Sequence, residues 1–274
     1  RKASIVGLDY VWTEAACHLI RELKPHLMLV HLLNNDATHH KRGAQSQEGY
    51  TANAYADMCV SRIIDAIDDA GIREKTTIIL VSDHGFTRTP KAIRPNVLLR
   101  QAGLLKVEGG KLTQAQVHVI PEGGIGLVYC TNPAEAARTF ADFKKMFSGQ
   151  EGVADVLLPD RFEEVGFPHP REYNQVPDAI LIAKDGYAVS GSVTGDTLVT
   201  TYEEARTSLG SHGFLAKLPK MNAMCILSGA GIRTGIKLPT VDNTVIAPTI
   251  AKLLGLKYPD TDGKPLLQAI QTSD

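Results

Sequence analysis

The run Thr77-Ile-Ile-Leu-Val-Ser82 constrains the fold of this chain more than any other segment. It is apolar, rich in β-branched residues and of strand length, and it follows a long helix-like stretch that ends near Gly71. The chain then turns at Gly85, which puts Asp83 and His84 at the strand's carboxyl end. Open α/β sheets build their sites there. The same alternation extends upstream. Ala3 to Val6 reads as a short strand, Val11 to Leu23 as a helix ended by Pro25, and Leu27-Met-Leu-Val-His-Leu-Leu33 as a buried strand. Ser46 to Ala70 reads as a long helix, with Tyr50, Ala54, Asp57, Met58, Ser61, Ile64 and Ile67 spaced by threes and fours. Strand alternating with helix predicts an α/β fold: a doubly wound, mostly parallel sheet flanked by helices.

From about Leu104 the texture changes. Short β-like runs (Val117 to Ile120, Ile125 to Tyr129) mix with a helix from Pro133 to Phe147, and a Gly/Pro-rich connection runs through Phe167-Pro-His-Pro-Arg171. Residues 105–178 are therefore expected to form a smaller inserted, cap-like α+β subdomain. Residues 1–104 and 179–274 form the core, which resumes at Ala179-Ile-Leu-Ile-Ala183. It continues through Gly210-Ser-His-Gly-Phe214 and the strand Ala223 to Ser228, and closes with a helix from Val245 to Leu254 capped by Gly255. At 274 residues with 43% hydrophobic content, the chain can bury one large core or a main core plus an insertion.

With a net charge of −1, no bias toward nucleic acid or a membrane surface can be read from charge, and no nucleic-acid polymer is expected as a partner. No apolar run reaches the ~18 residues a spanning helix needs. The residues from Arg1 to Gly7 are too short and mixed for a signal peptide, and the compartment stays open. Cys17, Cys59, Cys130 and Cys225 are scattered and read as small buried hydrophobes.

Three clusters carry chemistry: Asn35-Asp36-Ala-Thr-His39-His40-Lys-Arg-Gly43 after the Leu27 to Leu33 strand, Asp83-His84, and Gly210-Ser-His212-Gly. Carboxylate oxygen and imidazole nitrogen form a ligand set for Zn²⁺, Mn²⁺ or Fe. Five of these six groups are about what two adjacent ions need if further ligands come from elsewhere. Two-ion sites stabilise both the attacking and the leaving oxygen in phosphoryl transfer. The competing reading is a coincidence of polar strand ends.

In that order, Asp36-x-x-x-His40-x-x-Gly43, Ser82-Asp83-His84-Gly85 and Gly210-Ser-His212-Gly resemble the alkaline phosphatase superfamily. The nucleotide pyrophosphatase/phosphodiesterase branch is the nearest match, with phosphonoacetate hydrolase a near relative. Arg94-Pro-Asn96-Val-Leu-Leu and Gly229-Ala-Gly-Ile-Arg-Thr-Gly235, followed by Asn243 to Gly255, are similar to the family's flanking segments.

The resemblance implies that Asp36, His40 and His212 hold one ion and that Asp83 and His84 belong to a second, with Zn²⁺ as the expected metal. It implies hydrolysis of a small-molecule phosphate ester through a Thr or Ser nucleophile, with a phosphonate C–P hydrolase as the variant. A non-catalytic metal-binding fragment or interaction protein is the reading of another class. His39 stands where the family has Gly, and Ala44 where it has Pro. His39 is thus an alternative ligand, a substrate contact, or a solvated neighbour outside the ligand set. Ile5-Val-Gly-Leu-Asp9 superficially resembles the family's strand-plus-Asp motif, but the short stretch to Asp36 leaves no room for a nucleophile segment and its helix. The nucleophile is therefore expected upstream of Arg1, in an N-terminal segment or a chain supplying it. His118 and His169 read as structural or surface residues, Asp57 as a helix-surface carboxylate, and Thr89-Pro90 as loop.

Overall fold

The computed structural model describes residues 4–132 and 136–271. They fall into two compact units: residues 4–33, 54–84 and 223–271, and residues 34–53, 85–132 and 136–222.

In the first unit, helix α1 (Ile5–Leu23) begins where the Ser4 hydroxyl accepts the Gly7 N–H at 3.1 Å. It ends at Lys24, held in the left-handed region at φ 46°, just before Pro25. The expected strand at Ala3 to Val6 is therefore the start of a helix, with Ala3 itself outside the described residues. A serine cap followed by uninterrupted helix-compatible residues outweighs the short apolar run. Cys17 and Ile20 of α1 bury against Ala66 and Ile67 of helix α3 (Gln47–Asp69). Over its length α3 buries Ala52, Cys59, Ala66 and Ile67 and leaves Tyr50, Ala54, Asp57, Met58 and Ser61 exposed, so apart from Ile67 its buried face lies opposite the one the spacing picks out.

Strand β1 (Thr77–Val81) pairs antiparallel with β13 (Cys225–Gly229), in register from Thr77 opposite Gly229 to Val81 opposite Cys225. Helix α6 (Ile246–Leu253) closes with Gly255 at φ 69°, as its sequence predicts. Leu27–Leu33 departs from expectation. It joins no ladder among the described residues, and Leu29 is 81% exposed.

The second unit is organised on an antiparallel sheet ordered β6 (Val117–Glu122), β7 (Ile125–Cys130), β9 (Ala179–Ala183), β8 (Val153–Leu157). All five residues of β9 are buried because both faces of the sheet are covered. Ala179, Leu181 and Ala183 face a core that includes Phe140, Phe143 and Phe147 of helix α5 (Ala136–Phe147). Ile180 and Ile182 face Leu157 and Phe162. The run expected to rejoin the first sheet thus lies between β7 and β8. Pro133, where the α5 helix was expected to begin, lies outside the described residues.

Helix α4 (Pro95–Gln101) follows β3 (Lys91–Ile93) and starts on proline, whose fixed φ suits the first turn. Its buried Asn96 completes a two-point contact with β6: the side-chain amide donates to the Val119 carbonyl at 2.8 Å and the Val119 N–H donates back at 2.9 Å. The remaining pairs are a hairpin of β4 (Leu105–Glu108) with β5 (Lys111–Ala115), and β2 (Thr87–Arg88) with β12 (Gly210–Ser211). A three-stranded sheet has β3 between β10 (Tyr187–Val189) and β11 (Val199–Thr201).

The fold is therefore mixed α/β, as expected in class. Its sheets are small, and among the described residues only β3 and β10 pair in parallel, so the doubly wound, mostly parallel sheet is not what the paired strands form. Asn96→Ala strands both main-chain groups of Val119 in the core and is expected to cost about 3 kcal/mol in urea denaturation. A loss under about 1 kcal/mol would show that water replaces the amide there.

Candidate metal centre

The first cluster lies on helix α2 (Asn34–Arg42), which sequence reading left without an element. Asp36 sits in its first turn and His39, His40, Lys41 and Arg42 in its last, the charge order the helix dipole favours. The helix closes at Gly43, at φ 84°, with its N–H on the His39 carbonyl at 2.9 Å. Four residues apart, Asp36 and His40 project from one face of α2. That spacing, legible in the sequence, was the signal for the helix.

His212 arrives from β12, which pairs with β2 and lies against α2. The approach is close enough that a side chain at Gly210 would put its Cβ 2.2 Å from the His39 carbonyl oxygen. The Gly210 carbonyl in turn lies 2.9 Å from Nδ1 of His40. A carbonyl only accepts, so Nδ1 carries the proton and Nε2 keeps its lone pair. His40 Nε2 lies 3.2 Å from His212 Nε2. Asp36 Oδ1 lies 3.4 Å from the first nitrogen and 3.7 Å from the second.

Two nitrogens bound to one tetrahedral Zn²⁺ at about 2.0–2.1 Å lie roughly 3.3 Å apart. The carboxylate oxygen and two imidazole nitrogens, mutually within 4.8 Å, have that spacing already. The residues present therefore fit a divalent ion, supplying three of the four ligands a tetrahedral ion takes. Phe86 walls the group, its ring centroid 4.9 Å from that of His40 and 5.3 Å from that of His212, edge-on to both. Spacing in the sequence gave no hint of Phe86 or of the Gly210 carbonyl.

His39 stands apart from this group. Its Nδ1 engages the Asn35 carbonyl at 2.8 Å, and its Nε2 faces Gly49 at the start of α3. Asp83 and His84 belong to the first unit, at the carboxyl end of β1 as expected. They lie beside one another, His84 Nε2 to Asp83 Oδ2 being 3.6 Å. Asp9 is wholly buried in α1, where Oδ1 accepts the Leu33 N–H at 2.9 Å, a structural role. Burial holds the His118 pKa below the ordinary histidine value, in keeping with a packed rather than a ligating residue.

The chain matches the family described as type I phosphodiesterase / nucleotide pyrophosphatase over residues 9–215. It belongs to that family. All five expected metal ligands fall inside the matched stretch. Relatives include bovine bis(5'-adenosyl)-triphosphatase ENPP4, 21% identical over 229 residues, covering 83% of this chain and 44% of that protein. Mouse ectonucleotide pyrophosphatase/phosphodiesterase family member 7 is 23% identical over 233 residues, covering 84% and 47%. The chain thus spans less than half the length of these relatives. An inactive variant of murine ectonucleotide pyrophosphatase/phosphodiesterase 5, solved in complex with AMP, shares the fold. It superimposes with a TM-score of 0.75 at 15% identity, over 99% of this chain and 66% of that one. Among the described residues no helix is long and apolar enough to cross a membrane.

Zinc titration against a chromophoric chelator tests the donor group. His40→Ala and His212→Ala are each expected to weaken binding about 100-fold or more, and His39→Ala by less than about 3-fold. Equal losses for His39→Ala and His40→Ala would place His39 among the ligands.

Proposed function

We propose that the protein is a metal-dependent phosphoric ester hydrolase of the phosphodiesterase/nucleotide pyrophosphatase type. The observation that carries this reading is the preset Asp36–His40–His212 donor group in a chain of that family. A divalent ion held there supplies positive charge that offsets negative charge developing on a phosphoryl oxygen. Two imidazoles and one carboxylate suit Zn²⁺ best, with Mn²⁺ or Fe as alternatives.

The chain's own residues prepare the site. The Gly210 carbonyl fixes the His40 tautomer, so no proton has to leave Nε2 on loading. Asp36 contributes one negative charge to two neutral rings, leaving the loaded group net positive and attractive to a phosphate. Phe86 keeps water from one side of both rings and so holds their orientation.

Asp83 and His84 are the proposed contribution to a second ion, a carboxylate and an imidazole already adjacent. The Thr or Ser nucleophile implied by the family resemblance is proposed to come from polypeptide beyond these 274 residues. Nucleotide diesters are the proposed substrate class, in keeping with the AMP held by the murine relative.

The decisive experiment loads the full-length protein with Zn²⁺ and assays bis(4-nitrophenyl) phosphate, a dinucleoside polyphosphate, 4-nitrophenyl phosphate and phosphonoacetate. The diesters should be cleaved about 10-fold or more faster than the monoester, and His212→Ala should lower that rate by about 10³-fold. Phosphonoacetate as the best substrate would turn the assignment to C–P cleavage. No turnover by a fully loaded protein would leave metal binding without catalysis.

A further inference from the structure

His212 sits just beyond a strand of only two residues, and loop-borne ligands hold their geometry only when something outside the loop fixes them. That fixture is the turn between β6 and β7, Glu122-Gly123-Gly124, about ninety positions away in the sequence. The His212 carbonyl accepts the Gly124 N–H at 3.0 Å and the Ser211 hydroxyl at 3.3 Å.

The two backbones interlock through paired glycines. Gly123 adopts φ 72°, and a Cβ there would lie 2.1 Å from the His212 carbonyl oxygen. Gly213 adopts φ 71°, and a Cβ there would lie 2.0 Å from the Glu122 carbonyl oxygen. Each glycine leaves open the space that the other strand's carbonyl fills. Gly124 adds a third constraint, since its Cβ would lie 2.2 Å from Cγ of Phe214. On its far side the turn is tied to β10 and β9: the Val189 N–H donates to the Gly123 carbonyl at 2.7 Å, and the Ala183 N–H of the four-stranded sheet to that of Gly124 at 2.9 Å.

We infer that Gly123, Gly124 and Gly213 are positioning residues for His212, clamping its main chain to the four-stranded sheet so that the third ligand stands preset against Asp36 and His40. The inference rests on the metal reading of that group. It makes the stretch around residues 117–130, which bears no ligand, part of the machinery that sets metal affinity.

Gly149 and Gly166 provide the controls. They have φ values of 78° and 74° with nothing within 4 Å of a built Cβ, so alanine there adds the same backbone strain without the collision. Zinc affinity is read by chelator competition, and ligand geometry by the visible absorption of the Co²⁺-loaded protein.

Gly123→Ala and Gly213→Ala are expected to weaken Zn²⁺ about 10–100-fold and to alter the Co²⁺ bands, whereas Gly149→Ala and Gly166→Ala stay within about 2-fold. Because both glycines guard one contact, the double variant should lose little more than the worse single one, within about 3-fold. Folded Gly123→Ala and Gly213→Ala proteins with wild-type affinity and spectrum would overturn the inference. Should both lose their cooperative melt, Ser211→Ala decides. It removes one donor to the His212 carbonyl without adding bulk, and is expected to weaken Zn²⁺ about 3–10-fold with shifted Co²⁺ bands. An unchanged Ser211→Ala would then overturn the inference. A wild-type chain that binds no Zn²⁺ would remove the metal reading and this inference with it, and it is recognised before any variant is made.

Discussion

The hydrogen bond between His40 Nδ1 and the Gly210 carbonyl, at 2.9 Å, joins residues 170 positions apart and is the contact on which the donor group depends. It brings the two-residue strand that leads into His212 against the helix carrying Asp36 and His40. It also decides which nitrogen of His40 faces the site. Both consequences need a residue without a side chain at position 210, because the His39 carbonyl occupies the space a Cβ would take. One backbone contact thereby settles distance, tautomer and the identity of a residue.

Much of this was legible in the sequence, but unevenly. Residue type marked the clusters, the family resemblance implied that Asp36, His40 and His212 share one ion, and the structure brings those three together. Their separation in space was not legible, since it depends on a two-residue strand pairing, Gly210 opposite Arg88 and Ser211 opposite Thr87. Periodicity is silent about pairs that short. The expectation of a mostly parallel sheet came from alternation of strand and helix, a rule about neighbours in sequence. The observed pairings are set by which faces need cover. Strand β9 is the clearest case, its continuous apolar run explained by different clusters on its two faces rather than by a parallel neighbour.

Leu27–Leu33 shows the converse. A continuous apolar run is suited to a strand covered on both faces. Among the described residues it pairs with no strand, and Leu27 and Leu29 are 52% and 81% exposed. Ala3 to Val6 was misread as a strand for a related reason, and Asp9, whose likeness to a ligand motif was only superficial, lies in a helix that begins at Ile5 and turns its carboxylate inward to take the Leu33 N–H.

The three donors are not equally secure. Asp36 and His40 share a helix, so their separation is fixed by its pitch, and the side chains alone need to settle. His212 has no such support and relies on distant parts of the chain: the paired glycines at the β6–β7 turn, and Phe86 packed edge-on to its ring. Ordering a flexible ligand at the moment of binding subtracts from the affinity the ion delivers, whereas ordering it during folding charges that entropy to a core already stabilised by Phe143, Phe147 and the buried faces of β9. If the group holds an ion as proposed, its affinity is accordingly a property of the sheet as much as of the ligands. A change that loosens the sheet near its β6–β7 turn would then act on that ion through His212 before Asp36 or His40.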